Sequence, residues 1–295
     1  MTIRVRSWLS ALAVLALLCE TAFAAVELKA PESAAKGDAF LVSAISDKPV
    51  ERFVFHWLGK DIDVKAVPTE GGRYAGDILL PVPLDEKSSR MNLEARAGGP
   101  ETARATIKIY EKQRPSQKLK VDKKFVRTPP EVQERIKADR EKVRLALQDR
   151  LPDKLWALPF EKPVPGGVSS LFGMKRVFNG ELKSVHKGLD LRGAAGTPIK
   201  ACADGRVALS DNLYYSGNTV YLNHGDGVFT AYLHMSKPLV KTGDMVKKGD
   251  VIGLVGATGR VTGPHLHLSL IAQGQSVDPQ PMLEDPTAKK AGGAR

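Results

Sequence analysis

Alternation of apolar and polar residues is the feature that most constrains the fold of this chain. Between residues 160 and 283 it recurs in short runs such as "NTVYLNHG", "GVFTAYLHMS" and "HLHLSLIA". A period of two is typical of strands that bury one face. Eighteen of the 27 glycines fall in the same region, and no helical period is visible there. We therefore predict an all-β domain with tight turns over residues 160–283.

One of these runs, "TGPHLHLSL" at residues 262–270, has an unusual polar face. Its leucines fall on one side of the predicted strand, and His265, His267 and Ser269 fall on the other. At a rise of about 3.3 Å per residue the two histidines are about 6.6 Å apart on that face. One of them can bind a metal ion while the other stands at the open coordination position.

The other histidines strengthen the case for a site. Five of the six lie between residues 186 and 267, and His186 and Asp190 form an H-x-x-x-D pair. A straight strand would separate that pair by roughly 13 Å, whereas zinc bonds of about 2.0–2.2 Å require ligands within a few ångströms. The chain must bend between them, and Gly188 provides a flexible point. Two imidazoles and one carboxylate leave zinc a free fourth position, which is the pattern of a catalytic site.

The same region resembles a known family. "FNGELKSVHKGLDLRGAAGTPIKACADGRV" and "GDMVKKGDVIGLVGATGRVTGPHLHLSL" are similar to the lysostaphin/LytM-type zinc peptidoglycan metalloendopeptidases. The resemblance covers about residues 160–283 and implies an antiparallel β lysostaphin-like fold built on a duplicated hybrid motif. It also implies zinc as the cofactor and a peptide of peptidoglycan as the substrate.

The resemblance implies a role for each candidate residue. His186, Asp190 and His267 correspond to the zinc ligands, and His265 to the general base and acid on the metal-bound water. His234 corresponds to the residue that stabilises the tetrahedral intermediate. His224 has no part in that scheme, and we expect it to be structural.

These assignments predict a hydrolase of peptide bonds in peptidoglycan cross-links or stem peptides, active in cell-wall remodelling. The alternative is a catalytically inactive family member that regulates a cell-wall amidase. The complete set of histidines and the aspartate favours the enzyme. The sequence leaves open which peptidoglycan bond is cut.

The segments ahead of this domain carry no catalytic cluster. Short strand-like runs separated by turn residues predict a small β-sandwich over residues 25–112, which is the candidate surface for envelope partners. Residues 113–159 form a basic linker with a helix at about 131–150, whose apolar stripe predicts contact with a neighbouring domain. The stripe consists of Val132, Ile136, Val143 and Leu147. The chain is thus predicted to be mainly β, and residues 284–295 to be a disordered tail.

The first 24 residues predict export. Arg4 and Arg6 precede an apolar run over residues 8–18, and a small-x-small sequence at 22–24 favours cleavage after Ala24. Lipid anchoring at Cys19 is the alternative. Without residues 1–24 only Cys202 is left, so any metal must be held by histidines and carboxylates.

The formal net charge of +11 favours anionic partners. The signal peptide argues against nucleic acid, so an anionic cell-wall polymer or membrane surface fits better. Export and charge together predict a location in the periplasm or cell envelope.

Overall fold

The computed structural model of the chain describes residues 26–99, 102–119, 130–178 and 181–283. The predicted signal peptide, Cys19 and the predicted tail lie outside these ranges. The described residues are mainly β, as predicted. None of the helices in these ranges is both long enough and apolar enough to cross a lipid bilayer.

The leading domain contains two sheets that share one core. Their strand orders are β1-β3-β7-β6 and β2-β9-β8-β4-β5. Alternation explains the packing, because β4 buries Phe53, Phe55 and Trp57 and leaves His56 exposed. The strands are β1 (Val26–Lys29), β2 (Ser33–Ala35), β3 (Ala39–Ser46), β4 (Arg52–Trp57), β5 (Lys60–Lys65), β6 (Val67–Pro68), β7 (Tyr74–Pro81), β8 (Arg90–Arg96) and β9 (Thr102–Tyr110).

The C-terminal domain is built on a large antiparallel sheet of order β11-β14-β22-β18-β17-β16-β20, with β23 paired to β22. A second sheet has the order β15-β21-β19. The strands are β11 (Val168–Ser170), β12 (Lys175–Phe178), β13 (Glu181–Val185), β14 (Leu189–Arg192), β15 (Pro198–Lys200), β16 (Gly205–Leu213), β17 (Gly217–Asn223), β18 (Val228–Met235), β19 (Lys237–Pro238), β20 (Met245–Val246), β21 (Val251–Leu254), β22 (His265–Ala272) and β23 (Gln275–Val277). A short 3₁₀ helix, Gln280–Met282, follows β23.

The linker contains a strand and a helix that both contact the C-terminal domain. Its first part forms β10 (Ser116–Leu119), which pairs in parallel with β12 and joins the β12–β13 hairpin. A 3₁₀ turn at Pro130–Val132 then leads into helix α1, Gln133–Ala146. The linker therefore contacts the C-terminal domain through both a strand and a helix.

The predicted stripe of α1 faces the C-terminal domain. Ile136 is buried, and Val132, Val143 and Leu147 are half-buried. The helix ends earlier than the predicted residue 150. Past Ala146 the chain leaves the helical path, and the Asp149 carboxylate pairs with Arg206 and accepts a hydrogen bond from Asn223 Nδ2 at 3.1 Å.

The leading domain packs firmly on the C-terminal domain. Ala39 and Leu79 of the leading sheet belong to the same apolar core as the C-terminal strands. Lys112 Nζ pairs with Asp278 at 2.9 Å and with Asp38 at 3.2 Å. The predicted domain bounds at residues 112 and 160 stay predictions.

Candidate metal centre

The candidate ligands meet on two neighbouring strands of the large sheet. Asp190 on β14 lies directly opposite His267 on β22 in the antiparallel register. His186 lies in the turn between β13 and β14. The leucines of β22 are buried on the other face. The strand pairing therefore brings together side chains that are up to 81 residues apart in sequence.

Three polar atoms converge at this point. His186 Nε2 lies 3.0 Å from both Asp190 Oδ1 and His267 Nδ1, and His267 Nδ1 lies 2.9 Å from Asp190 Oδ1. His186 and Asp190 are buried, and His267 is half-buried. Among the described residues they form a cluster able to hold a metal ion.

The outward hydrogen bonds of the two imidazoles identify which nitrogens carry a lone pair. His186 Nδ1 donates to the carbonyl oxygen of Leu171 at 2.8 Å. His267 Nε2 lies 3.0 Å from Ser269 Oγ, which itself donates to the carbonyl oxygen of Lys187 at 3.2 Å. In their neutral forms both rings therefore direct unprotonated nitrogens at the carboxylate oxygen.

This donor set fits a cation. Two lone pairs and a carboxylate oxygen repel one another unless a positive charge lies between them. A tetrahedral zinc ion with bonds of about 2.0–2.1 Å places its ligands about 3.3–3.4 Å apart. The three atoms would need to separate by only a few tenths of an ångström to accept it.

Electrostatics keep the carboxylate charged. Burial acts to raise the pKa of Asp190. When the facing rings of His186 and His267 are protonated, their hydrogen bonds and positive charge more than offset burial and hold the pKa well below its ordinary value. Burial also lowers the pKa of His267, which favours the neutral imidazole that a metal ion requires.

Gly188 is required by space rather than by backbone conformation. A Cβ atom at this position would lie 2.3 Å from His267 Nε2 and 2.7 Å from the carbonyl oxygen of Leu268. Its φ lies outside the left-handed region that favours glycine. The expected bend between His186 and Asp190 is present, but the reason for the glycine is the close approach of His267.

His265 and His234 border the three converging atoms. His265 Nε2 lies 3.7 Å from Asp190 Oδ1, and the ring centroids of His234 and His265 are 5.1 Å apart. A hydrogen bond from Nδ1 orients each ring. His265 Nδ1 donates to the carbonyl oxygen of Gly263, and His234 Nδ1 donates to the carbonyl oxygen of Thr258, both at 2.9 Å. Each neutral ring therefore carries its lone pair on Nε2.

His234 has an unusual backbone. Its φ is +65°, in a region that non-glycine residues rarely occupy. Such strain is found most often at functional sites, where the surrounding structure holds the residue in place. Burial also lowers the pKa of His234 to about 4.

Sequence reasoning did not assign roles to the groups that orient these rings. Ser269 was placed on the histidine face of its strand, so its alternation was a usable signal. The carbonyl groups of Leu171, Gly263 and Thr258 had no such signal, since any residue carries a carbonyl group.

His224 lies elsewhere, and its contacts are structural. Its Nδ1 contacts the carbonyl oxygen of Asp204 and its Nε2 contacts Thr230 Oγ1, both at 2.7 Å. It is fully buried, and burial lowers its pKa to about 4. Both ring nitrogens are occupied within the core of the C-terminal domain.

Comparison with known proteins supports the resemblance. The profile of peptidase family M23 matches residues 184–279. A crystal structure of a putative M23 peptidase from Pseudomonas aeruginosa aligns with a TM-score of 0.64 and 31% identity, covering 83% of this chain and 92% of that one. The chain belongs to peptidase family M23. The predicted lysostaphin-like fold class is confirmed for this M23 chain.

Curated relatives match a shorter part. The peptidoglycan DD-endopeptidase ShyC of Vibrio cholerae is 43% identical over 128 residues, which is 43% of this chain and 29% of the relative. The DD-endopeptidase ShyA of the same organism is 50% identical over 93 residues, which is 32% of this chain and 22% of the relative. This M23 chain thus spans less than a third of the length of either relative.

Proposed function

We propose that this M23 chain is a zinc metalloendopeptidase that hydrolyses peptide bonds in peptidoglycan. The observation that carries the proposal is the convergence of His186 Nε2, Asp190 Oδ1 and His267 Nδ1 within 3.0 Å of one another. In the neutral forms of the two rings these outward hydrogen bonds leave no proton between the three atoms, so a metal ion is the species that suits the space. His186, Asp190 and His267 would hold it.

Zinc held by three protein ligands supplies a Lewis acid and lowers the pKa of a coordinated water to about 7. The protein supplies the proton transfers. His265 presents an unprotonated Nε2 beside the ligand carboxylate, so it is placed to accept a proton from the attacking water. The same nitrogen then donates that proton to the leaving amine.

His234 has a second role in this proposal. Because its Nδ1 donates to Thr258, the ring can donate from Nε2 only when it is protonated. Negative charge that develops on the substrate carbonyl oxygen would favour uptake of a proton from solvent at His234 Nε2, and the protonated ring would stabilise that charge until the proton returns to solvent. Burial keeps the ring neutral before that charge appears.

The substrate class is supported by the relatives and by charge. Both Vibrio cholerae relatives are named peptidoglycan DD-endopeptidases, so we propose cross-links between D-amino acids as the target. A net charge of +11 suits an anionic wall polymer. The same reasoning supports export to the periplasm or cell envelope, with the leading domain as the surface for envelope partners.

Digestion of purified peptidoglycan tests the proposal, with the products identified by mass spectrometry. The wild-type chain should convert cross-linked dimers to monomers, and His267→Ala should reduce this to background because one metal ligand is lost. The matched control is His56→Ala, which removes an exposed histidine of the leading domain that contacts Asp61. It should digest at the wild-type rate.

Two results would contradict the enzyme. Undiminished digestion by His267→Ala would exclude the proposed ligand set. A wild-type chain that leaves peptidoglycan intact but stimulates a cell-wall amidase would support the regulatory alternative. The complete convergence of the ligand atoms favours the enzyme over that alternative.

A further inference from the structure

His186 is held by a short loop, Leu171–Met174, through one hydrogen bond to its ring and two to its backbone. His186 Nδ1 donates to the carbonyl oxygen of Leu171 at 2.8 Å. The amide of Gly173 donates to the carbonyl oxygen of His186 at 2.8 Å. The amide of His186 donates to the carbonyl oxygen of Met174 at 3.0 Å. The loop therefore sets the position of the residue and the tautomer that directs Nε2 at the other ligands.

This loop also contacts the leading domain and the first residues of the linker. Phe172 is 2% exposed, and the guanidinium carbon of Arg114 lies 5.9 Å from its ring centroid. A Cβ atom on Gly37 would lie 2.9 Å from Phe172 Cε1, so the ring is in close contact with the leading domain. Arg114 also crosses Gly173, where a Cβ atom would lie 2.1 Å from Arg114 Cδ.

Arg114 is in turn fixed by the leading domain. Its side chain is 8% exposed and lies 3.5 Å from the Asp38 carboxylate. The guanidinium donates to the carbonyl oxygen of Lys112 at 3.2 Å and to that of Lys36. A planar guanidinium can stack on a ring and donate to several acceptors at once, which a lysine cannot do. The side chain thus connects a fixed surface of one domain to the loop of the other.

We propose that Arg114 is a positioning residue for the metal centre. It acts through Phe172 and Gly173 on the loop Leu171–Met174, and the loop holds His186 ready to bind the ion. The leading domain is therefore part of the support of the metal site. This inference rests on the metal site of the proposed function, but not on the identity of the substrate.

Loss of Arg114 could also weaken zinc binding by loosening the contact between the domains. A variant of Lys112 separates this explanation from the positioning of His186. Lys112 lies in the same interface and pairs with Asp38 and Asp278. Its hydrogen bonds do not involve the loop Leu171–Met174. Loss of Lys112 should weaken docking without changing how His186 is held.

The test is zinc affinity of the full chain, measured by competition with a chromogenic chelator. Arg114→Ala should bind zinc up to about 10-fold more weakly, because Arg114 acts one contact beyond the outer-shell partners whose loss costs about 10- to 100-fold. Lys112→Ala should stay within about twofold of the wild type. Arg114→Lys should be intermediate, because it keeps the charge and loses the planar stack. The visible spectrum of the cobalt-substituted protein should change in Arg114→Ala and not in Lys112→Ala.

Unchanged zinc affinity in Arg114→Ala would overturn the proposal, and so would equal losses in the two alanine variants. If Arg114→Ala does not fold, Phe172→Leu replaces it, since leucine keeps an apolar side chain and removes the ring. Wild-type affinity in that folded variant would overturn the proposal equally. A wild-type chain that binds zinc but does not digest peptidoglycan would overturn the proposed function alone. The comparison of zinc affinity between the Arg114 and Lys112 variants would still test the positioning role.

Discussion

Gly188 lies between two candidate metal ligands, and the space that it leaves determines where the third candidate, His267, can lie. It lies midway between His186 and Asp190 and directly beneath the His267 ring. The atoms that a side chain would meet include a backbone carbonyl oxygen, which cannot move without shifting β22. The backbone does bend here, but glycine is needed because a side chain would fill the space beside His267.

We predict that Gly188→Ala weakens zinc binding at least about tenfold, a loss comparable to that of an outer-shell partner. The new Cβ atom would displace His267 Nε2, 2.3 Å away. The measurement is zinc affinity by chelator competition. Gly263→Ala is the matched control, because it lies on the neighbouring loop with nothing within 4 Å of the added atom. Wild-type affinity in Gly188→Ala would show that the close approach is not needed.

At the scale of elements, the pairing of β14 with β22 is what creates the site. A shift of one residue in that register would turn His265 and His267 toward the core and the leucines toward solvent. The buried leucines of β22 oppose such a shift, since each contributes about 1.5–3 kcal/mol by burial. The hydrophobic face of the strand thus keeps the two histidines on the opposite face.

Helix α1 is attached to the same sheet by a polar contact as well as by its apolar stripe. The buried carboxylate of Asp139 accepts a hydrogen bond from the amide of Tyr214 at 2.7 Å. Tyr214 follows β16, so this bond ties the helix to the end of a sheet strand. The apolar stripe predicted from the sequence did not include this residue.

We predict that Asp139→Ala lowers the free energy of unfolding by about 1–3 kcal/mol, because it leaves the amide of Tyr214 without a partner. Urea denaturation measures the change. Glu141→Ala serves as the control, since Glu141 is exposed on the same helix and its ion pair among the described residues is with Arg144. It should have little effect. Equal losses in the two variants would mean that the buried contact is not the cause, since alanine is the better helix former at both positions.

At the scale of the whole molecule, the two domains share packing as well as a covalent linker. The C-terminal core includes Ala39 and Leu79 of the leading domain. The linker returns to the same core, where the amide of Leu155 donates to the carbonyl oxygen of His224 at 2.7 Å. His224 thus lies where linker and core meet, and its protonation affects the stability of the whole chain.

We predict that acid destabilises the protein partly through His224. Its pKa is lowered from 6.5 to about 4 by burial, so the folded state binds fewer protons than the unfolded state. The folded state therefore keeps its full stability with respect to His224 above pH 6.5, and it loses stability as the pH falls toward 4. The loss should amount to about 3 kcal/mol.

The measurement is the free energy of unfolding between about pH 7 and about pH 4. His224→Gln should show a shallower decline than the wild type. The exposed His56→Gln should retain the wild-type decline, although burial of His234 contributes to acid sensitivity in all three proteins. An unchanged decline in His224→Gln would mean that the buried ring is not the cause.

Sequence alone determined the features that depend on local periodicity and residue type. Alternation predicted the β architecture, and the apolar stripe predicted which side of the helix is covered. Histidine and aspartate spacing, with the family resemblance, indicated His186, Asp190, His265, His267 and His234. These features could be predicted because each is written into neighbouring residues.

Tertiary structure alone decided how those residues are held. Strand register placed Asp190 opposite His267, and carbonyl groups from distant loops fixed which nitrogen of each ring faces the site. It also decided that Gly188 is needed for space and that Arg114 supports the His186 loop. None of this could be read from the sequence, because backbone carbonyl groups are the same in every residue and their partners depend on long-range packing.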